Sequence, residues 1–540
     1  MKMIKLIIAI IGVGLLMIGC KKSYLDISTN PNSLTSSTPD VIFTGAVART
    51  AAIITPNETG EYWSGHWTQS STYIYDPARF SYNFNNTNFN FWDTWYDVLE
   101  DFQYAIDNAV SKGLPQFRGP SKVMKAYIFQ QVVDCYGNAP YSDAFKGIGS
   151  ITPKFDDQKA IYDSLIVLLD GAITDLKAYP FTGTTGLSDI VFKGNITSWV
   201  RFANSLKLRI LIRQSRVASR QAYVIAEINK AAATTEGFLQ PSQDVKTNPG
   251  YTQASGQTNP IYNNWGYTAA GAAQAIARFP RPTKFLFDQL IAKGDTFRLK
   301  RLAYAKGGES STVDGKSAFA IVSGSYDYTK DIIANYVGVP YGSTSGYLAQ
   351  NTSYIGPCFI TKSGFAKDVY LMLAAESFFC LAEAKQTLPG VNLPGTAKSY
   401  YEQGVREAFK VTGTNRANFT VTLADGSTLL PNPDPSADST ILRNGKLLSD
   451  WSAATTATEQ LQTIWFQKWL ALTNFAGLEA WCDFRRTNYP AIPPSAGAPV
   501  GQALPVRLFY PNSEQASNSA NVSAQGNIDV FTGKLFWDID

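Results

Sequence analysis

The sequence predicts a mainly α-helical protein in which helix pairs stack into a superhelical scaffold interrupted by long loop insertions. Three observations predict it. Apolar residues recur at three- and four-residue steps through at least eight segments, the period of a helix with one buried face. Short Gly or Pro punctuation joins several neighbouring segments, as in stacked antiparallel helix pairs. Between them lie four stretches, 55–90, 236–280, 303–366 and 412–456, rich in Gly, Ser, Thr, Asn and Tyr. No repeat of fixed period is visible, so the helical repeat is a degenerate one.

The first element is an export signal. Lys2 and Lys5 precede an apolar run from Leu6 to Ile18, 13 residues long. That is short of the ~20 a membrane-spanning helix needs and suits the core of a signal peptide. Met17-Ile18-Gly19-Cys20 follows, a lipobox-like end in which Cys20 takes a diacylglycerol and further acyl (palmitate-type) chains. Met17 stands where Leu is more usual. Several chains on one cysteine make a stable anchor, at ~0.8 kcal/mol per buried CH₂. Residues 1–19 are thus expected to be removed, 20–40 to be a lipid-anchored tether rich in Ser, Thr, Asn and Pro, and 41–540 to be the folded body.

The helices follow in order. Phe91–Val110 places Trp92, Trp95, Leu99, Phe102 and Ile106 on one face and Asp93, Asp97, Glu100 and Asp107 on the other. Lys122–Tyr136 is stopped by Gly137 and Pro140, and Lys159–Leu176 is the third. Thr197 or Ser198 is expected to cap a fourth helix that carries Trp199, Phe202, Leu206 and Ile210 inward. Its Arg201, Lys207, Arg209, Arg213 and Arg216 then read as a solvated basic face. Pro282–Ala292, Asp368–Gln386, Thr396–Lys410 and Glu459–Phe475 complete the set.

Composition narrows the function. Of 540 residues 45% are hydrophobic, only 17% are charged, and the formal net charge is +4. Lys and Arg are dispersed, so the chain lacks the basic footprint of a nucleic-acid binder. There is one histidine, His66, which excludes zinc sites built on several histidines and any serine triad that does not use it. His66 itself reads as a hydrogen-bonded structural residue. Cys135, Cys358, Cys380 and Cys482 show no CxxC spacing, and no disulfide is expected. No EF-hand-like run of Asp and Asn is present, so neither calcium nor another metal or cofactor is expected.

The aromatic content, 28 Tyr, 31 Phe and 11 Trp, exceeds what the helices hold and falls in polar loops. A sugar offers an apolar face of C–H groups and a rim of hydroxyls, which suits rings flanked by amides and charges. Three stretches supply that mixture. The first holds Trp63, Trp67, Gln69, Tyr73 and Tyr75, the second Tyr262, Asn264 and Trp265 followed by Arg281, and the third Tyr341 with Tyr336 and Tyr347. For Trp63 and Trp67, four residues apart, a place in a core-packed helix is an equal alternative.

Several motifs resemble one family. Tyr24-Leu25-Asp26-Ile27-Ser28-Thr29-Asn30-Pro31 behind the lipidated cysteine is similar to the start of SusD/RagB-like lipoproteins. Asp134-Cys135-Tyr136-Gly137-Asn138-Ala139-Pro140-Tyr141 resembles the family's helix-to-turn motif, with Asn138 where Asp is common. Ala374–Ala384, Tyr400–Arg406, Gln467–Trp469, Glu479–Pro490 and Phe536–Asp538 resemble later family segments, so the likeness runs nearly the whole mature length. Within it, Trp481-x-Asp483-x-x-Arg486 reads as a buried ion pair rather than an acid/base dyad.

The resemblance implies a tetratricopeptide-like helical fold at the outer membrane. It implies a partner, a SusC-type TonB-dependent transporter, and a glycan cargo captured without catalysis. Peptide cargo on the same fold is the alternative. A secreted glycoside hydrolase is a further one, needing two carboxylates at a defined separation that no stretch signals.

Overall fold

The protein is described by a computed structural model covering residues 37–54, 57–74, 76–292, 295–306, 321–322, 325–326, 332–361, 363–413, 421–422, 428–429 and 451–539. Cys20, the signal segment and most of the tether therefore lie outside the described residues, as does Tyr75.

Helix α1 (Pro39–Ile54) packs on α3 (Trp92–Asn108), which packs on α4 (Arg118–Tyr136), then α5 (Gln158–Ala178), α6 (Ile196–Arg213) and α7 (Gln221–Ala232), each against the next. A second run, α10 (Ala374–Thr387), α11 (Ala397–Val411) and α12 (Ala457–Leu472), joins the first where α10 meets α6. Helix α13 (Gly477–Thr487) packs on α12 and on the short α2 (Glu58–Trp63). This is the expected superhelical stack of helix pairs. The α2–α13 crossing is close because both contact residues are glycine: a Cβ on Gly60 or Gly477 would fall on the other helix's backbone.

Local signals fix most boundaries. Asp157 caps α5, Thr396 caps α11 and Thr456 caps α12 by accepting first-turn N–H bonds. Gly137 ends α4 in a left-handed conformation, φ 79°. Three differences from the sequence reading have physical causes. Asn195, not Thr197 or Ser198, caps α6, because its side chain reaches the Ser198 N–H. Helix α1 begins at Pro39, inside the stretch read as tether. The start of the predicted 368–386 helix is a strand, β6 (Val369–Met372), paired with β2 (Val245–Thr247), and its β-branched and aromatic side chains suit that extended backbone.

The remaining strands are short and tie the long loops together. Trp67–Gln69 (β1) runs antiparallel to Pro280–Pro282 (β3), and Ala303–Tyr304 (β4) to Tyr354–Ile355 (β5). Helices α8 (Lys284–Ala292) and α9 (Thr296–Leu302) pack beside them over a smaller core that includes Leu286, Phe287, Phe379, Tyr401, Ile464 and Leu470.

The basic face expected on α6 is the main correction. Lys207, Arg209 and Arg213 are buried, and only Arg201 and Arg216 are partly exposed. Arg209 makes a two-pronged pair with Glu376 of α10, both bonds 2.7 Å. Its third nitrogen lies 3.3 Å from Glu479 of α13 and from Gln130 of α4. Arg213 pairs with Glu479 and sits 3.5 Å from Asp134 of α4, whose other oxygen takes the Tyr162 hydroxyl. Farther along, Arg486 of α13 clasps Glu383 of α10 at 2.5 and 2.9 Å, and Lys468 of α12 holds Asp483 at 2.7 Å. The ion pair anticipated between Asp483 and Arg486 exists at 3.3 Å, as one member of this lattice.

Arg209→Met strands Glu376 in the core and is expected to cost about 3–5 kcal/mol in urea unfolding, while Arg49→Ala, on an exposed pair, costs ~0–1 kcal/mol. Arg209→Met with Glu376→Leu removes both charges and recovers much of that loss; no recovery would remove the buried charge as its cause. Acid is the second test. Burial drives the Glu479 and Asp483 carboxyls up, but Arg209 and Arg213 beside the first, and Lys468 and Arg486 beside the second, outweigh it and hold both below the ordinary range. Their stabilisation is complete above the unfolded value of about 4 and is lost as pH falls through the lower folded values. Asp134 runs the other way, raised by burial, so it offsets only part. Melting temperature is therefore expected to drop between about pH 4 and pH 2.

Candidate ligand-binding site

Described parts of the loops 55–90, 236–280 and 303–366 gather beside the β1–β3 ribbon, where residues 354–361 and 363–370 border three adjoining depressions. The first has Trp265 and Tyr267 on one side and Tyr304, Tyr354 and Ile355 on the other. Ile360 is shared with the second, whose walls include Asn259, Tyr262 and Phe359. Cys358, Lys367, Asp368 and Tyr370 are shared in turn with a wider cleft of about 420 Å³ that reaches Arg301 and the 411–413 end of α11. The three adjoin through these shared wall residues and are together termed the groove.

Its walls are pinned by specific bonds. The Asn259 side-chain oxygen accepts from the Ile261 and Tyr262 N–H groups at 2.7 and 3.2 Å, setting the start of the turn that presents Trp265. Its amide donates to the Lys367 carbonyl at 2.6 Å, tying that turn to the opposite wall. The Tyr304 hydroxyl donates to the Ile360 carbonyl at 2.8 Å, and the Gly356 N–H to Leu302 at 2.9 Å. Gly356 is glycine of necessity, since a Cβ there would meet the 302–303 backbone.

The predicted ring platforms are placed differently from the expectation. Trp63 ends α2 and Trp67 lies in β1, so they share no helix, yet both are fully buried. Trp63 packs on Trp481 at 5.1 Å between ring centres; Trp67 donates to Asn474 at 2.7 Å and meets Trp265 and Phe359 edge-on at 5.6 Å. Both are thus core residues, as in the alternative reading, but on a helix and a strand rather than on one helix. Arg281 is buried over the Tyr354 ring at 3.7 Å, and Tyr341 is buried against Phe80. None of these four offers a face to a ligand. Each loop must bury apolar area of its own to be ordered, and its largest rings serve that end.

The other candidates divide. Tyr262 and Trp265, at 2% and 8% exposure, are buried like the four above but stand in the groove wall, whereas Asn264, between them in sequence, is exposed. Gln69 is buried and lines a separate cavity of about 80 Å³ with Phe80 and Gly342, while Tyr73 is half-buried against Phe279. His66 is a structural residue: its ring packs tilted against Trp469 at 4.7 Å, Nδ1 is 2.9 Å from Glu61 and Ser64, and Nε2 is 3.1 Å from the Trp469 carbonyl.

Tyr304, Tyr354, Lys367 and Tyr370 went unpredicted. Tyr370 is the half-buried ring of the groove, resting on Phe475 at 5.3 Å. Burial pulls the Lys367 ammonium down to about 8, with the Arg301 charge acting the same way. Burial also raises the Cys358 thiol. Asp368 is held below the ordinary carboxylate range: burial opposes this, but Asn248 at 3.0 Å and Lys246 at 2.9 Å outweigh it. Among the described residues no group of three or more His, Cys, Asp or Glu is placed to hold a metal.

The helical stack has counterparts among solved structures. Solved structures of similar fold include a SusD homologue from Bacteroides uniformis, 23% identical over 93% of this chain and 99% of that one, TM-score 0.68. A chitin-binding SusD homologue from Flavobacterium johnsoniae is 24% identical over 92% and 99%, TM-score 0.65. A SusD homologue from Bacteroides fragilis is 18% identical over 93% and 100%, TM-score 0.71. No protein of curated function matches significantly. The family model described as starch-binding and associating with the outer membrane matches residues 31–511. With that match covering most of its length, the chain belongs to the SusD-like family of nutrient-binding proteins associated with the outer membrane.

Proposed function

We propose that this chain is a cell-surface lipoprotein, acylated on Cys20, that captures glycan chains in the groove along 354–370 and passes them to a SusC-type TonB-dependent transporter. The observation that carries the reading is the family match over 31–511 joined to a groove of three connected depressions, a shape that suits a polymer better than a single small molecule. The chitin-binding relative supports a carbohydrate cargo for that protein, and by extension here. The anchor follows from the Met17–Cys20 motif; among the described residues no helix is long and apolar enough to cross a membrane.

Binding follows from the wall chemistry. Sugar C–H faces lie along the Tyr370 ring and the edges of Trp265 and Tyr262, while hydroxyls meet Asn264 and backbone groups of the 259–267 turn. Pinned loops lose little freedom when a chain docks, so more of the contact energy appears as affinity. Trp63, Trp67, Arg281 and Tyr341 act beneath, holding the loops in place.

Affinity electrophoresis through glycan gels, with peptide pull-downs alongside, tests the site. Tyr370→Ala is expected to weaken glycan capture by about 1–2 kcal/mol, roughly tenfold, with little change in melting temperature. Trp67→Ala should instead unfold more easily, by about 3–5 kcal/mol. Full glycan capture by Tyr370→Ala would move the site elsewhere, and capture of peptides alone would change the cargo. The anchor is tested separately: in a Gram-negative host Cys20→Ser should release the protein to the soluble fraction, and a variant still in the outer membrane would refute acylation there.

A further inference from the structure

We propose that the wide end of the groove is an anion subsite, so that the glycan it receives carries carboxylate or sulfate groups. This rests on the glycan-binding reading above and narrows its substrate class.

Three observations lead to it. Lys367 lines both the second depression and the wide cleft, is half-buried, and among the described residues forms no ion pair. Its ammonium donates to the Pro357 carbonyl at 3.1 Å, which leaves two of its three protons for another acceptor. The carboxylate next to it in sequence, Asp368, also lines the cleft but is already committed, bonded to Lys246 at 2.9 Å and to Asn248 at 3.0 Å. Arg301 borders the same cleft and holds the Thr412 carbonyl at 2.9 Å, adding a second positive charge to the wall.

A half-buried ammonium without a counter-ion is costly, and an incoming anion removes that cost. Burial, and to a lesser extent the Arg301 charge, disfavour the charged lysine, and an anion beside it would offset both. Tyr370 stands beside it, so a sugar stacked on that ring would carry its acid group toward Lys367. The binding is non-covalent: the lysine keeps its proton and shares it with the anion.

The test uses the mature full-length protein in native gels containing polygalacturonate, dextran sulfate or a neutral glucan, with calorimetry on short oligosaccharides of each. Retention by the uronate or the sulfate polymer is expected, and the two gels tell which anion is preferred. Lys367→Met should bind the retained polymer about tenfold more weakly, the size of one charge-assisted hydrogen bond, while Lys367→Arg keeps most of the affinity. Wild-type affinity should also fall as salt rises, more steeply than that of Lys367→Met. Should Lys367→Met fail to fold, the wild-type salt dependence and Lys367→Gln carry the same test. Unchanged affinity in Lys367→Met overturns the anion subsite. So does retention by the neutral glucan alone, which leaves the glycan reading standing. Retention of acidic peptides and of no glycan overturns both.

Discussion

The structure depends on a lattice of charges placed where charges are most costly. Arg209, Arg213, Lys468 and Arg486 face Asp134, Glu376, Glu383, Glu479 and Asp483, all in the interior and drawn from α4, α6, α10, α12 and α13. Any one of these helices packed a turn out of register would leave a buried ion facing hydrocarbon. Apolar side chains tolerate such slips far better, since contact area is non-directional. The lattice therefore selects one arrangement of five helices, whatever its net contribution to stability. Gln130 and Gln131 complete it, reaching Glu479 at 3.0 and 2.6 Å.

That arrangement decides where the loops can be. The 55–90 loop is held where α2 crosses α13 through Gly60 and Gly477, and α13 carries Glu479 and Arg486 into the lattice. Residues 354–361 are fastened to the same region through Asn474, whose oxygen takes the Trp67 indole and whose amide meets the Leu302 carbonyl at 3.3 Å and the Cys358 sulfur at 3.6 Å. The loops are irregular in sequence but not independent, because each is anchored to a helix whose place is fixed.

Helix periods and stops were legible because they are local, as at Gly137, although the cap expected at Thr197 or Ser198 lies at Asn195. The lattice was not, because its pairs join residues far apart in sequence, as Arg209 to Glu376. An amphipathic wheel assigns Lys and Arg to water by default, and that default failed on α6. One signal was available. Glu376 and Glu383 sit in Ala374–Ala384, a run apolar on nearly every side, and an acid there demands a buried cation.

The proposed groove draws on the aromatic stretches, though not on their largest rings. Aromatic-rich loops do converge on one region, and Trp67 of the first stretch does touch Trp265 of the second. Which ring faces outward is set by how the loops cover one another, and spacing carries no record of that. A loop cluster lacking regular secondary structure has to build a core from its own side chains, and Trp63, Trp67 and Arg281 over Tyr354 are that core. Residues left at the rim are those whose neighbours had no further apolar area to bury: Tyr370 beside Lys367, and Asn264 beyond Trp265. The largest aromatic side chains in such loops are thus the poorest guides to the binding surface, because order in the loops is required before a surface exists to bind anything.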